Sequence, residues 1–197
     1  LKAVKHVDLR LTKGECLGII GESGSGKSVT ALSVLRLVAS PPGVIKGGSV
    51  HFDDQDMIRL PHHQLRAIRG NRISYIFQDP LTTLHPLLTV GTQMIEAIQA
   101  HQRMSAQNAK ERALSLLAQV QIHDPKRVFS SHPHQLSGGM RQRIGIAMSL
   151  CNDPDVIIAD EPTTALDVTV QAQILALLDD LRRARGLSLI FITHDFS

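Results

Sequence analysis

Residues 21–28 read Gly21-Glu22-Ser23-Gly24-Ser25-Gly26-Lys27-Ser28, between an apolar run from Cys16 to Ile20 and an amphipathic stretch from Val29 to Leu37. Strand, glycine-rich loop and helix in this order fit G-x-x-x-x-G-K-[ST] in the context that gives the pattern its meaning. Glycines let a backbone wrap with its N–H groups pointing inward, and the following helix N-terminus favours an anion. Gly21, Ser23, Gly24, Ser25 and Gly26 therefore form a cradle for a polyphosphate, with Lys27 neutralising its terminal phosphates and the Ser28 hydroxyl holding Mg²⁺. An ordinary glycine-rich turn before a helix would need neither the lysine nor the serine.

Working outward, further short apolar runs fall at Ser49 to Phe52, Ile73 to Phe77, Val156 to Ala159 and Leu187 to Thr193. The last two are nearly all apolar, the pattern of strands buried on both faces. Their alternation with helical patterns predicts an α/β fold with a mostly parallel sheet. Between Val90 and Leu150 the strand signals stop. There Ser105 is placed to cap a helix with the stripe Ala113, Leu116, Leu117 and Val120, and a second helix carries Ile144, Ala147, Met148 and Cys151. The expected organisation is a core subdomain of residues 1–89 and 151–197, incomplete at both ends, with an inserted α-helical subdomain at 90–150. Beyond it Ile174, Leu177, Leu178 and Leu181 form another stripe, ended by Gly186 where a left-handed cap belongs.

Composition removes several functions. Lysine and arginine number 21 against 18 acidic residues, a balance of +3, too even for a nucleic-acid surface unless the cations gather on one face. Arg66, Arg69 and Arg72 are the densest group, and Arg182, Arg183 and Arg185 suit a helix C-terminus. Nucleic acid is not an expected partner. Cys16 and Cys151 have neither disulfide nor zinc spacing, which fits a reducing compartment; Cys16 reads as a small core residue beside the loop. His62-His63 and His132-x-His134 read as solvated loop histidines. No run reaches the roughly 18 apolar residues of a membrane span, and the N-terminus is not a signal peptide. The chain begins without methionine and stops just after an apolar strand, which reads as a fragment of a longer protein.

The phosphate loop needs an acidic partner at the end of a neighbouring buried strand, and Val156-Ile157-Ile158-Ala159-Asp160-Glu161 supplies one. Asp160 would hold Mg²⁺ through water, leaving Glu161 to orient or deprotonate the attacking water. A second glycine-rich stretch, Leu136-Ser137-Gly138-Gly139-Met140-Arg141-Gln142, opens a helix without a lysine after its glycines. Alone it could be an N-cap serine followed by a flexible pair; as a ligand site it suits one exposed γ phosphate.

Taken together, the chain resembles the ATP-binding cassette (ABC) ATPases over nearly its whole length. Residues 21–28 look like Walker A, Gln78 in Phe77-Gln78-Asp79-Pro80 like the Q-loop, Leu136 to Gln142 like the signature, and Asp160-Glu161 like the end of Walker B. Ala165-Leu166-Asp167 is similar to the D-loop and His194 to the switch histidine. The resemblance implies a P-loop NTPase fold and ATP with Mg²⁺. It implies Glu161 as general base, His194 at the γ phosphate, and Gln78 as sensor of Mg²⁺ and of the attacking water. It also implies a head-to-tail dimer in which Ser137, Gly138, Gly139 and Asp167 serve the ATP held by a second ABC ATPase domain.

His132 to Arg143 and Ala159 to Gln171 further resemble the importer branch for dipeptides, oligopeptides and nickel. That branch implies a place on the cytoplasmic face of the bacterial inner membrane, with two integral permease subunits and, indirectly, a periplasmic solute-binding protein. Thr83-Leu84-His85-Pro86 replaces the branch's usual Ser-Leu-Asn-Pro, and Asp54 replaces a glycine. The alternative within the resemblance is an ATPase of a soluble enzyme complex of the carbon-phosphorus lyase type.

Overall fold

The computed structural model describes residues 2–79, 83–164 and 166–194. In chain order its elements are β1 (Cys16–Ile20), α1 (Lys27–Val34), β2 (His51–Phe52), β3 (Gln55–Asp56), α2 (His62–Ile68), β4 (Ile73–Ile76), α3 (Val90–Gln99), α4 (Ala106–Gln119), α5 (Pro125–Ser130), a 3₁₀ turn (Pro133–Gln135), α6 (Gly138–Ser149), β5 (Val156–Asp160), α7 (Val168–Arg185) and β6 (Ser188–Thr193).

Four strands form one sheet in the order β1-β6-β5-β4, every pairing parallel. The register aligns their ends: Ile20 lies opposite Thr193, Asp160 opposite Ile192, and Ile76 opposite Ala159. The segments that leave β1, β4, β5 and β6 therefore emerge at one edge, the carboxyl edge where ligands of open α/β sheets bind.

Alternation along β5 divides the interior. Ile157 and Ala159 face a core shared with α3, α4, α6 and α7, whereas Ile158 faces a second core with Ala31 and Leu35 beside α2's Leu65 and Ile68. Residues 90–149 carry four helices and the 3₁₀ turn, with no strand among the described residues. Ser105 caps α4 by accepting from the Asn108 N–H, and Ala113, Leu116, Leu117 and Val120 are all buried. Asn152 sits at the return to the sheet: its amide donates to the carbonyls of Gly70 and Ala97, both at 3.0 Å, and its oxygen accepts from Gln102 at 3.1 Å. Helix α7 ends on Gly186 at φ 63.

Two expectations are corrected. The run from Ser49 to Phe52 supplies no strand to the main sheet; His51–Phe52 pairs antiparallel with Gln55–Asp56 in a separate hairpin. Asp53 and Asp54 turn it with φ of 48 and 61, positive at both central residues as a two-residue hairpin of matching twist requires. Cys16 is exposed, because the face of β1 that carries Cys16 and Ile20 joins neither apolar core; Cys151 is the buried thiol. Among the Arg66 group, two cations already have partners. Arg69 donates to the carbonyls of Leu35 and Arg36, and Arg72 pairs with Asp53 in the hairpin turn and with Asp155 just before β5.

Candidate active site

The loop after β1 closes on itself through its lysine. Lys27 is buried, and its Nζ donates to the carbonyls of Gly21 at 2.6 Å and Glu22 at 2.8 Å. Gly26 has φ 96, and a Cβ there would stand 2.7 Å from the carbonyl oxygen of Ala3. Only glycine meets both conditions without strain. Helix α1 starts at Lys27, so its unpaired first-turn N–H groups open onto the loop.

At the end of β5, Asp160 is 5% exposed, and each carboxylate oxygen takes one hydroxyl. Ser28 Oγ donates to Oδ1 at 3.0 Å and the Tyr75 phenol to Oδ2 at 2.7 Å. Burial, then the bond to Asp160 and its charge, push the Tyr75 hydroxyl well above the usual tyrosine range. It stays a protonated donor.

Glu161 leaves the strand with φ 46 while its N–H still donates to the Ile192 carbonyl at 3.0 Å. A left-handed glutamate costs on the order of 1–3 kcal/mol and persists where its surroundings over-determine it. Here they do: Oε2 accepts from Gln78 Nε2 at 2.8 Å and Thr164 Oγ1 at 3.0 Å, and His194 Nδ1 lies at 3.0 Å.

These groups share a cavity of about 510 Å³. Of the residues singled out in the sequence, Ser23, Gly24, Gly26, Lys27, Ser28, Gln78, Glu161 and His194 line it, and Asp160 lies against it through Ser28. Gly21 and Ser25 belong to the same loop without lining the cavity. Gln78 turns its amide nitrogen to Glu161. Sequence reasoning missed Lys2, Ala3 and Thr164, which also line the cavity, and Tyr75. The available signal for Tyr75 was strand alternation: it lies opposite Ile158, on the face that Asp160 shares two residues later. Another cavity of about 310 Å³ lies between Arg112, Asp153 and Arg185; both of its arginines are already paired with Asp153.

The second glycine-rich stretch does not line the larger cavity. Ser137 caps α6 by accepting from the Met140 N–H, and Asp167 caps α7 by accepting from the Val170 N–H. A Cβ on Gly138 would lie 3.6 Å from Leu166, and one on Gly139 3.0 Å from Val170. Ser137, Gly138, Gly139 and Asp167 are thereby grouped on one surface, where α6 and α7 begin. Pro80, Ala165 and Asp195, which flank the motifs, lie outside the described residues.

A phosphate loop, a paired carboxylate and a histidine at one sheet edge occur in several families, so the decision rests on the whole chain. A model of the ABC transporter family matches residues 4–164. The chain belongs to that family. This ABC chain is 53% identical over 193 residues to the peptidoglycan transport ATP-binding protein YejF of Agrobacterium fabrum, covering 98% of the chain and 35% of that protein. It is 48% identical over 195 residues to the oligopeptide transport ATP-binding protein OppD of Bacillus subtilis, covering 99% and 54%. The chain thus spans about a third to three-fifths of the length of such relatives. Among solved structures, the ATP-binding cassette MJ0796, a dimer in a post-hydrolysis state bound to ADP and Pi, has a TM-score of 0.85 at 34% identity, covering 98% of this chain and 80% of that one. The parallel sheet with helices on both faces is accordingly the P-loop fold of ABC cassettes.

Proposed function

We propose that this chain is the ATP-binding and ATP-hydrolysing part of an ABC importer that takes up peptides or related small solutes. The carrying observation is the convergence on Glu161 Oε2 of Gln78, Thr164 and His194, from three segments, at the mouth of the phosphate loop. Names of relatives, peptidoglycan transport and oligopeptide transport, supply the solute class.

In this reading the loop N–H groups and Lys27 receive the β and γ phosphates. Mg²⁺ fits the donor set of Ser28 and Asp160, a hydroxyl and a buried carboxylate 3.0 Å apart, both hard oxygen ligands of the type it prefers. When bound, it neutralises charge developing on the phosphate oxygens. Glu161 takes the proton of the attacking water, His194 holds that carboxylate through Nδ1, and Gln78 links it to the segment after β4. Ser137, Gly138, Gly139 and Asp167, which do not line the chain's own cavity, serve the ATP of a second ABC domain, so hydrolysis waits for dimer closure. The helical subdomain, residues 90–150, and the Gln78 segment would meet two permease subunits at the cytoplasmic face of the inner membrane. A periplasmic binding protein would deliver the solute.

The test is purification of the full-length protein carrying Glu161→Gln from detergent-solubilised membranes with ATP present. Two polytopic subunits and a second ATPase should co-elute. A soluble enzyme complex without membrane subunits would overturn the transport reading and leave the ATPase reading standing.

A further inference from the structure

We propose that Tyr75 is a positioning residue for the metal-binding carboxylate of Asp160, holding the oxygen that Ser28 does not hold; this rests on the reading of Asp160 as that carboxylate. An aspartate turns easily about its last torsion, which is broad and roughly two-fold. One donor leaves the carboxylate plane free to swing. Two donors on different oxygens, Ser28 on Oδ1 at 3.0 Å and Tyr75 on Oδ2 at 2.7 Å, fix it.

The fold explains why this residue reaches. In the parallel register of β4 and β5, Tyr75 stands opposite Ile158, so Asp160 is its diagonal neighbour on the same face, a separation that aromatic side chains span. The Phe77 ring, on the same face of the chain two residues later, lies 4.6 Å from the tyrosine ring at a tilt of 43°. The phenol is packed among the apolar residues beneath α1 and α2, with only its hydroxyl directed to a charge. A strand tyrosine whose hydroxyl merely finds a convenient acceptor would have the same burial. What separates the two readings is the acceptor: Asp160 is almost fully buried, and its two side-chain donors are the phosphate-loop serine and this phenol. Donors of this kind fix the orientation of ligand groups, and losing one typically weakens a metal site about 10–100-fold.

The experiment uses the full-length protein carrying Tyr75→Phe, which keeps the ring and removes the donor, with Tyr75→Met as a second variant should the first fold poorly. Mn²⁺ affinity of the ADP complex is read by electron paramagnetic resonance, and affinity for a fluorescent ATP analogue is read in EDTA. About 10-fold weaker Mn²⁺ binding is expected, with metal-free nucleotide affinity unchanged and a lower melting temperature from the lost bond to a buried carboxylate. Half-saturating Mg²⁺ for hydrolysis should rise in parallel while kcat at saturating Mg²⁺ is retained. Asp160→Asn is measured alongside. If it weakens Mn²⁺ binding and neither Tyr75 variant does, the role of Tyr75 is refuted and the site stands. If Asp160→Asn leaves Mn²⁺ binding intact, the metal reading of Asp160 falls and the role of Tyr75 with it. Loss of melting temperature with unaltered Mn²⁺ affinity would make Tyr75 a packing residue only.

Discussion

Replacing Glu161 by glutamine separates chemistry from architecture at this site. The three donors meet a single oxygen, Oε2, at 2.8 to 3.0 Å, and a glutamine carbonyl placed there accepts from the same three groups. Its NH₂ takes the place of Oε1, which makes none of these contacts. Shape and hydrogen bonding therefore survive while the proposed base is lost. General-base catalysis is typically worth about 10²–10⁴-fold, or roughly 3–5 kcal/mol of barrier at about 1.4 kcal/mol per decade. Single-turnover hydrolysis with saturating Mg·ATP should slow by at least 10²-fold, while equilibrium binding of ATP, read with the fluorescent analogue, stays within about threefold. His194→Ala is the necessary comparison, because His194 would be the base if Glu161 merely oriented it. The role of Glu161 as base is refuted if Glu161→Gln turns over within tenfold of the parent and His194→Ala does not. It also fails if Glu161→Gln loses nucleotide affinity, which would make the carboxylate structural.

Gly26→Ala combines a left-handed φ of 96 with a Cβ 2.7 Å from the Ala3 carbonyl; it should weaken ATP binding more than tenfold, while Gly18→Ala, whose Cβ would meet nothing within 4 Å, should not. Equal effects would count against loop geometry as the cause. Asn152→Ala strips two carbonyls and one amide of their bonds at a buried junction, a loss of about 2–3 kcal/mol at ~1 per bond, checked as a lower urea midpoint at unchanged m-value. Burial pushes the Cys151 thiol up to about 12 from 9.0, and partial burial raises Cys16 as well. At pH 8 iodoacetamide should label Cys16, more slowly than a free thiol, and leave Cys151 intact until denaturant is added, as peptide mapping would read. Because the folded pKa of Cys151 lies above the unfolded one, its contribution to stability is complete below about pH 9 and is lost as pH rises toward 12.

What could be read from the sequence follows from what each physical signal carries. Gly21 to Ser28 were legible because backbone wrapping and phosphate charge demand those residue types at that spacing, and the all-apolar Val156 to Ala159 because a strand covered on both faces has no polar side. Helix stripes such as Ile174 to Leu181 repeat often enough for the period to emerge. The seven residues of α2 complete scarcely two turns, too few for that. Ser49 to Phe52 looked like a sheet strand because β-propensity reports half-burial on a pleated surface, whichever sheet provides it. The exposure of Cys16 depends on which face of β1 the apolar cores leave uncovered, a property of packing and not of the run itself. Tyr75 and Thr164 escaped for a different reason: alternation gives at most the face that Tyr75 shares, and each residue matters only through the oxygen it reaches. Motif spacing locates the groups that must touch phosphate, whereas the donors behind them are set by register, here the pairing of Tyr75 with Ile158 that places Asp160 one diagonal step away. A shift of that register by one residue would turn Tyr75 to the opposite face while leaving every motif in the sequence intact. The part of the site that periodicity cannot see is thus the part that the β4–β5 pairing itself determines.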